Sequence, residues 1–103
     1  MSWHRLQIDG IATIERVVAV FEVGPQHDDL PMRFRVKVTE HQDGGFYAYP
    51  EIALKGPDGV PDYVAGAGNS IEEALASACR MLLATIPGKE PITEDSIDWN
   101  PRF

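Results

Sequence analysis

Hydrophobic and polar positions alternate most regularly between Met32 and Glu40. Met32, Phe34, Val36 and Val38 fall on one parity, and Arg33, Arg35, Lys37 and Thr39 on the other. A period of two marks a strand with one covered face. His41-Gln42-Asp43-Gly44-Gly45 then reads as a turn, and Phe46 to Leu54 as a returning strand. On that strand Phe46, Ala48, Ile52 and Leu54 share one parity, and Tyr47, Tyr49 and Glu51 the other. Two such runs joined by a short Gly-containing loop predict an antiparallel hairpin. Its apolar face needs a cover, and a following amphipathic segment supplies one. Ile71, Ala74, Leu75, Ala78, Leu82 and Ile86 recur at helical spacing. Ser70, with Glu73 three residues on, fits a capping box, and Pro87-Gly88 is a stop signal. The pattern predicts a helix over 70–86.

The flanking segments are less regular. Leu6 and Ile8 alternate with Arg5, Gln7 and Asp9, which suggests a short half-buried strand before a turn at Asp9-Gly10. Ile11 to Val23 is rich in β-branched residues, whose stiff χ1 angles favour a strand; a helix over 11–22 is the alternative. Gly24 to Pro31 and Lys55 to Asp62 read as irregular connections, and Tyr63 to Gly68 as a short strand of small residues. Ile92, Ile97, Trp99 and Phe103 are spaced through a polar C-terminal stretch. This stretch reads either as a final strand around Ser96–Trp99 or as an arm laid on the domain. The expected architecture is α+β: an antiparallel sheet of three to four strands with one main helix packed across one face. With no repeat or composition break, residues 1–103 read as a single domain. An N-terminal strand extension (1–24) and a short C-terminal arm (88–103) flank its centre.

Composition narrows the class. Of 103 residues, 44% are hydrophobic and 24% charged, as in ordinary globular chains rather than disordered ones. No stretch approaches the roughly 20 apolar residues that a membrane helix needs. Met1-Ser2-Trp3-His4-Arg5 lacks the following apolar run of a secretory signal. A single cysteine excludes an internal disulfide and a cysteine-based zinc site, and the expected compartment is the reducing cytoplasm. The net charge is −7, spread evenly: residues 1–54 carry 5 basic and 8 acidic groups, and residues 55–103 carry 4 and 8. That balance argues against generic nucleic-acid binding. It serves solubility, or it matches a basic partner such as a nuclease, where it would speed the encounter more than tighten the complex.

Three runs carry a family resemblance: Phe34-Arg35-Val36-Lys37-Val38-Thr39-Glu40, Asp43-Gly44-Gly45-Phe46-Tyr47-Ala48-Tyr49-Pro50-Glu51, and Gly68-Asn69-Ser70-Ile71-Glu72-Glu73-Ala74-Leu75. Together they resemble the HicB-like antitoxin domain over residues 32–86. The resemblance implies a three-stranded antiparallel sheet with a helix across it, a partial ribonuclease-H-like fold, and a role in binding a toxin. In that family the helix follows soon after the Pro, whereas Ile52 to Gly66 here inserts a Gly- and Pro-rich stretch. The 17 residues after Ile86 are too few for the DNA-binding segment that many HicB proteins carry.

Arg33, Arg35, Lys37, Tyr47 and Tyr49 share the outer parity of the hairpin. Tyr and Arg are enriched at protein-binding hot spots, and the same types stack bases and hold phosphates in RNA-binding patches. Ordinary cross-strand pairing, Arg35 with Glu51 and Lys37 stacked near Tyr49, is the simpler account of them, and the patch is still the best interaction site the sequence offers. Gly66-Ala67-Gly68-Asn69-Ser70 precedes a helix but lacks the remaining residues of a dinucleotide loop or a P-loop. Small residues that let strand and helix pack closely are the simpler reading. His27-Asp28-Asp29, with His4 or His41, has no metal-ligand spacing, and Cys79 beside the apolar stripe reads as a small buried hydrophobe. Glu40, Asp43 and Glu51 lie near turns or strand ends with no sign of the convergence that a two-metal nuclease needs. The expected function is a non-catalytic, antitoxin-like or immunity-type inhibitor that occludes a basic protein partner, without cofactor or metal. A stand-alone RNA-binding module on the same sheet face is the alternative. A hairpin with an exposed edge is also compatible with a homodimer.

Overall fold

The computed structural model describes residues 2–26, 30, 32–86, 92–101 and 103. Strand β1 spans Glu15–Val23, β2 Phe34–His41 and β3 Phe46–Pro50. Next come β4 at Ile52–Lys55, β5 at Pro61–Asp62 and β6 at Gly66–Gly68. Helix α1 runs Ile71–Ala84, and β7 closes the order at Ile97–Trp99. The molecule is α+β, with two antiparallel sheets and one main helix. The first sheet has the order β1-β2-β3-β6 and the second β5-β4-β7.

The β2–β3 hairpin forms as the alternation predicts, but β2 begins at Phe34 rather than Met32 and takes in His41, which the sequence assigns to the turn. Phe34, Val36, Val38 and Ala48 are buried on one side, under α1. The turn between the strands is held by the His41 N–H on the Gly45 carbonyl at 2.8 Å and the Gly44 N–H on the His41 carbonyl at 2.9 Å. Gly44 sits at φ +92°, a left-handed conformation that costs glycine nothing. Strand β1 adds to the outside of β2, with a bulge between Val17 and Ala19.

Helix α1 starts where the capping residues predict. The Ser70 side chain accepts from the Glu73 N–H at 3.1 Å. The Glu73 carboxylate reaches one residue further back than a capping box does, to the Asn69 N–H at 2.8 Å. Ala74, Ala78 and Leu82 are fully buried, while Ile71, Leu75, Cys79 and Ile86 pack around them. The helix ends two residues before the predicted Ile86, with the Thr85 hydroxyl donating to the Leu82 carbonyl at 2.6 Å. The Pro87-Gly88 stop signal lies outside the described residues.

Gly66 and Gly68 bring β6 against the helix. A β-carbon on Gly66 would stand 2.3 Å from the Ala78 nitrogen, and one on Gly68 2.5 Å from the Glu73 β-carbon. The small residues before the helix are therefore a packing device, as the sequence suggests.

Five expectations need correction. The single strand over 46–54 is two strands in different sheets, divided at Glu51. Ile52, Ala53 and Leu54 are all buried, because β4 is covered on both faces rather than one. Leu6 and Ile8 form no strand: a short 3₁₀ turn at Trp3–Arg5 leads into exposed chain. Alternation without a neighbouring strand to bond leaves the backbone no ladder. The strand predicted from Ile11 begins at Glu15, and the one predicted from Tyr63 begins at Gly66. Thr39, on the polar parity of β2, is fully buried, with Val17 and Tyr47 on either side of it in the sheet. Of the two readings of the C-terminal stretch both hold in part: β7 pairs with β4, and the residues after it fold back over the first sheet.

Candidate functional site

The face of the first sheet opposite α1 is built from alternate residues of three strands. Arg35, Lys37, Thr39 and His41 come from β2, and Tyr47 and Tyr49 from β3. Lys37 stands directly across from Tyr49, and Thr39 from Tyr47. Glu22, Val20 and Glu15 of β1 lie opposite Arg35, Lys37 and His41 respectively. Four of the five predicted residues thus share one patch. Arg33, just before β2, stands at its end.

Arg33 and Arg35 each hold a carboxylate, and Lys37 holds a ring. The Arg33 Nε pairs with Glu22 at 3.1 Å. Arg35 is gripped more tightly by Glu51, whose carboxylate accepts from the Arg35 backbone N–H at 3.1 Å, from Nε at 3.3 Å and from Nη2 at 2.9 Å. These hydrogen bonds hold the Glu51 carboxyl below its ordinary pKa and the Arg35 guanidinium above its own. The predicted Arg35–Glu51 pair is therefore present. Lys37 does not stack on Tyr49; its ammonium lies 5.4 Å from the centre of the Phe103 ring and donates to the Phe103 carbonyl at 3.4 Å. The Arg35 guanidinium is 5.0 Å from the same ring.

The rest of the patch is aromatic and acidic. His41 pairs with Glu15 at 2.8 Å, and its ring lies 4.1 Å from that of Tyr47. Burial pushes the Tyr49 phenol above its ordinary pKa. Tyr49 also lines a cleft of about 330 Å³ with Pro50, Tyr63, Val64, Asn100 and Pro101. At its rim the Tyr63 hydroxyl donates to Asp98, a bond that raises the phenol's pKa.

The other candidates are engaged elsewhere. Glu40 accepts from His4 at 2.9 Å and from Arg16 at 2.8 Å. The His4 bond is the main cause of its lowered pKa. Asp43 caps its own turn by accepting from the Gly45 N–H at 2.8 Å. Burial pushes the Cys79 thiol up, away from reactive thiolate character. Among the described residues no three His, Cys, Asp or Glu side chains group as a metal centre would require. His27-Asp28-Asp29 lies outside the described residues. Among them, too, no helix is long and apolar enough to cross a membrane.

Sequence reasoning missed Glu15, Glu22, His41 and Phe103. The β1 acids carry no local signal, because the bulge resets their register with β2. Phe103 reaches the patch only through the fold. The chain matches no family model, no curated protein and no solved structure.

Proposed function

We propose that this chain is a small acidic, non-catalytic protein-binding domain of the antitoxin or immunity-inhibitor type implied by the HicB-like resemblance. In this reading it acts in the cytoplasm, occluding a basic partner such as a toxin or nuclease. The observation that carries the reading is the charge pairing on the outer sheet face. Arg33 and Arg35 are matched by Glu22 and Glu51 within 3.1 Å, so the face offers little free positive charge to phosphates. It offers Tyr and Arg set among carboxylates, the composition of a protein hot spot. A net charge of −7 suits a basic partner and would accelerate its approach. Strand β1, nine residues long, ends the strand order of the first sheet, and a second copy would add there in the proposed dimer.

Capture from the native host, followed by identification of the bound protein, tests this. The expected partner is a small basic protein. Tyr47→Ala with Tyr49→Ala should weaken its capture by about 30-fold, the loss of a modest hot spot, with helicity unchanged. Single-stranded RNA bound with a steep salt dependence, and lost on the same substitutions, would overturn the reading in favour of an RNA-binding module.

A further inference from the structure

We infer that the outer sheet face carries a slot for an extended peptide segment bearing an aromatic side chain, and that Phe103 fills this slot as an internal stand-in. The inference deepens the protein-binding reading by naming what the partner presents.

Three contacts define the slot. The Asn100 N–H donates to the Glu51 carbonyl at 2.7 Å, which anchors the segment where the two sheets meet. The Phe103 N–H donates to the Asn100 carbonyl at 3.2 Å, turning the chain back over β2. The ring then lies 5.0 Å from the Arg35 guanidinium and 5.4 Å from the Lys37 ammonium, while Lys37 holds the Phe103 carbonyl. Two cations within 5.4 Å of its centre use the negative π-face of the aromatic side chain. The oxygen that Lys37 holds is Phe103 main chain, so the cation meets backbone as well as ring. Glu51 keeps the Arg35 guanidinium in place before anything binds, so little ordering is left for the ligand to supply. The cleft lined by Tyr49, Pro50, Tyr63 and Pro101 lies beside the slot and offers aromatic and proline walls to residues flanking the ring. Such walls suit extended, proline-containing segments. A partner's segment would displace Phe103 and inherit its contacts.

The test uses the full chain and a tetrapeptide of residues 100–103, blocked at both ends. Two cation–π contacts and one hydrogen bond are weak on an exposed face, so binding in trans is expected at about 1–10 mM. Amide chemical shifts read it. The Phe103→Ala chain should bind the tetrapeptide with shifts centred on residues 35–37. The unsubstituted chain should bind about ten-fold more weakly, because its own Phe103 competes at high effective concentration. A tetrapeptide ending in Ala should not bind, and Lys37→Gln added to Phe103→Ala should abolish the shifts. Phe103→Leu, which keeps apolar bulk but has no π-face, serves if the alanine variant does not fold. Equal binding to both chains, no binding to either, or equal binding of the Ala-ended peptide would overturn the inference. A uridine hexamer that moves the same resonances more strongly would do so as well. The experiment requires no partner, so its failure leaves the Tyr47 and Tyr49 capture result standing.

Discussion

Residues in this molecule are chosen by what stands opposite them as much as by local preference. Gly44 is needed for its backbone angle, whereas Gly66 is needed for its missing side chain. A β-carbon on Gly66 would lie 2.3 Å from the Ala78 nitrogen and 2.5 Å from the Ala74 carbonyl oxygen. Those are backbone atoms of α1, so no side chain can turn aside to make room. Gly66→Ala should therefore force β6 away from the helix and destabilise the fold by about 3 kcal/mol or more, the upper range for overpacking. Urea denaturation followed by circular dichroism measures this directly. A loss below about 0.5 kcal/mol would mean that strand and helix are not in this contact, since harmless surface changes stay in that range.

At the scale of elements, legibility followed the reach of the forces. Helix α1 could be read because its signals are local: an apolar stripe, and a serine whose side chain meets a backbone N–H three residues on. Ser70→Ala should cost about 1 kcal/mol and fray the first turn, leaving the Glu73 N–H without its acceptor. A thermal melt with an unchanged midpoint would contradict that. The β2–β3 hairpin was legible for the same reason, and with it the shared face of Arg35, Lys37, Tyr47 and Tyr49. The second sheet was not. Strands β5 and β7 have two and three residues, too short to show a period. The division of 46–54 at Glu51 was hidden because parity runs through it unbroken: Ala48, Pro50, Ile52 and Leu54 are all buried. What ends β3 is a change of bonding partner, set by Arg35 and Asn100 from distant parts of the chain. The same distance conceals Phe103, whose place on the patch has no local signal.

At the scale of the whole molecule, Glu51 joins the parts. Its N–H donates to the Arg35 carbonyl at 2.8 Å in the first sheet, and its carbonyl accepts from Asn100 at 2.7 Å beside the second. Its carboxylate, with 16% of the side chain exposed, holds the arginine that flanks Phe103. This arrangement predicts how acid acts on the fold. The folded-state pKa of Glu51 is depressed by Arg35, and that of Glu40 by His4 and then Arg16. A depressed carboxyl contributes stability that is complete above the ordinary glutamate value of about 4.3 and is lost as pH falls through the folded value. Urea midpoints should therefore hold on the neutral side of that value and fall steadily below it. Glu51→Gln keeps one acceptor oxygen but removes the charge. At pH 6 it should cost about 1 kcal/mol, modest because the pair is partly wetted. As pH falls through the lowered folded value of Glu51 the variant and the parent should converge, since protonation then neutralises in the parent the charge that the substitution has already removed. Because Arg35 loses its anchor in the variant, amide shifts at residues 35–37 and 103 should change together at pH 6. A difference in urea midpoint that stays constant from pH 7 down through the acid limb of the parent's stability curve would show that the carboxylate charge contributes nothing, and that the sheet junction rests on its backbone bonds alone.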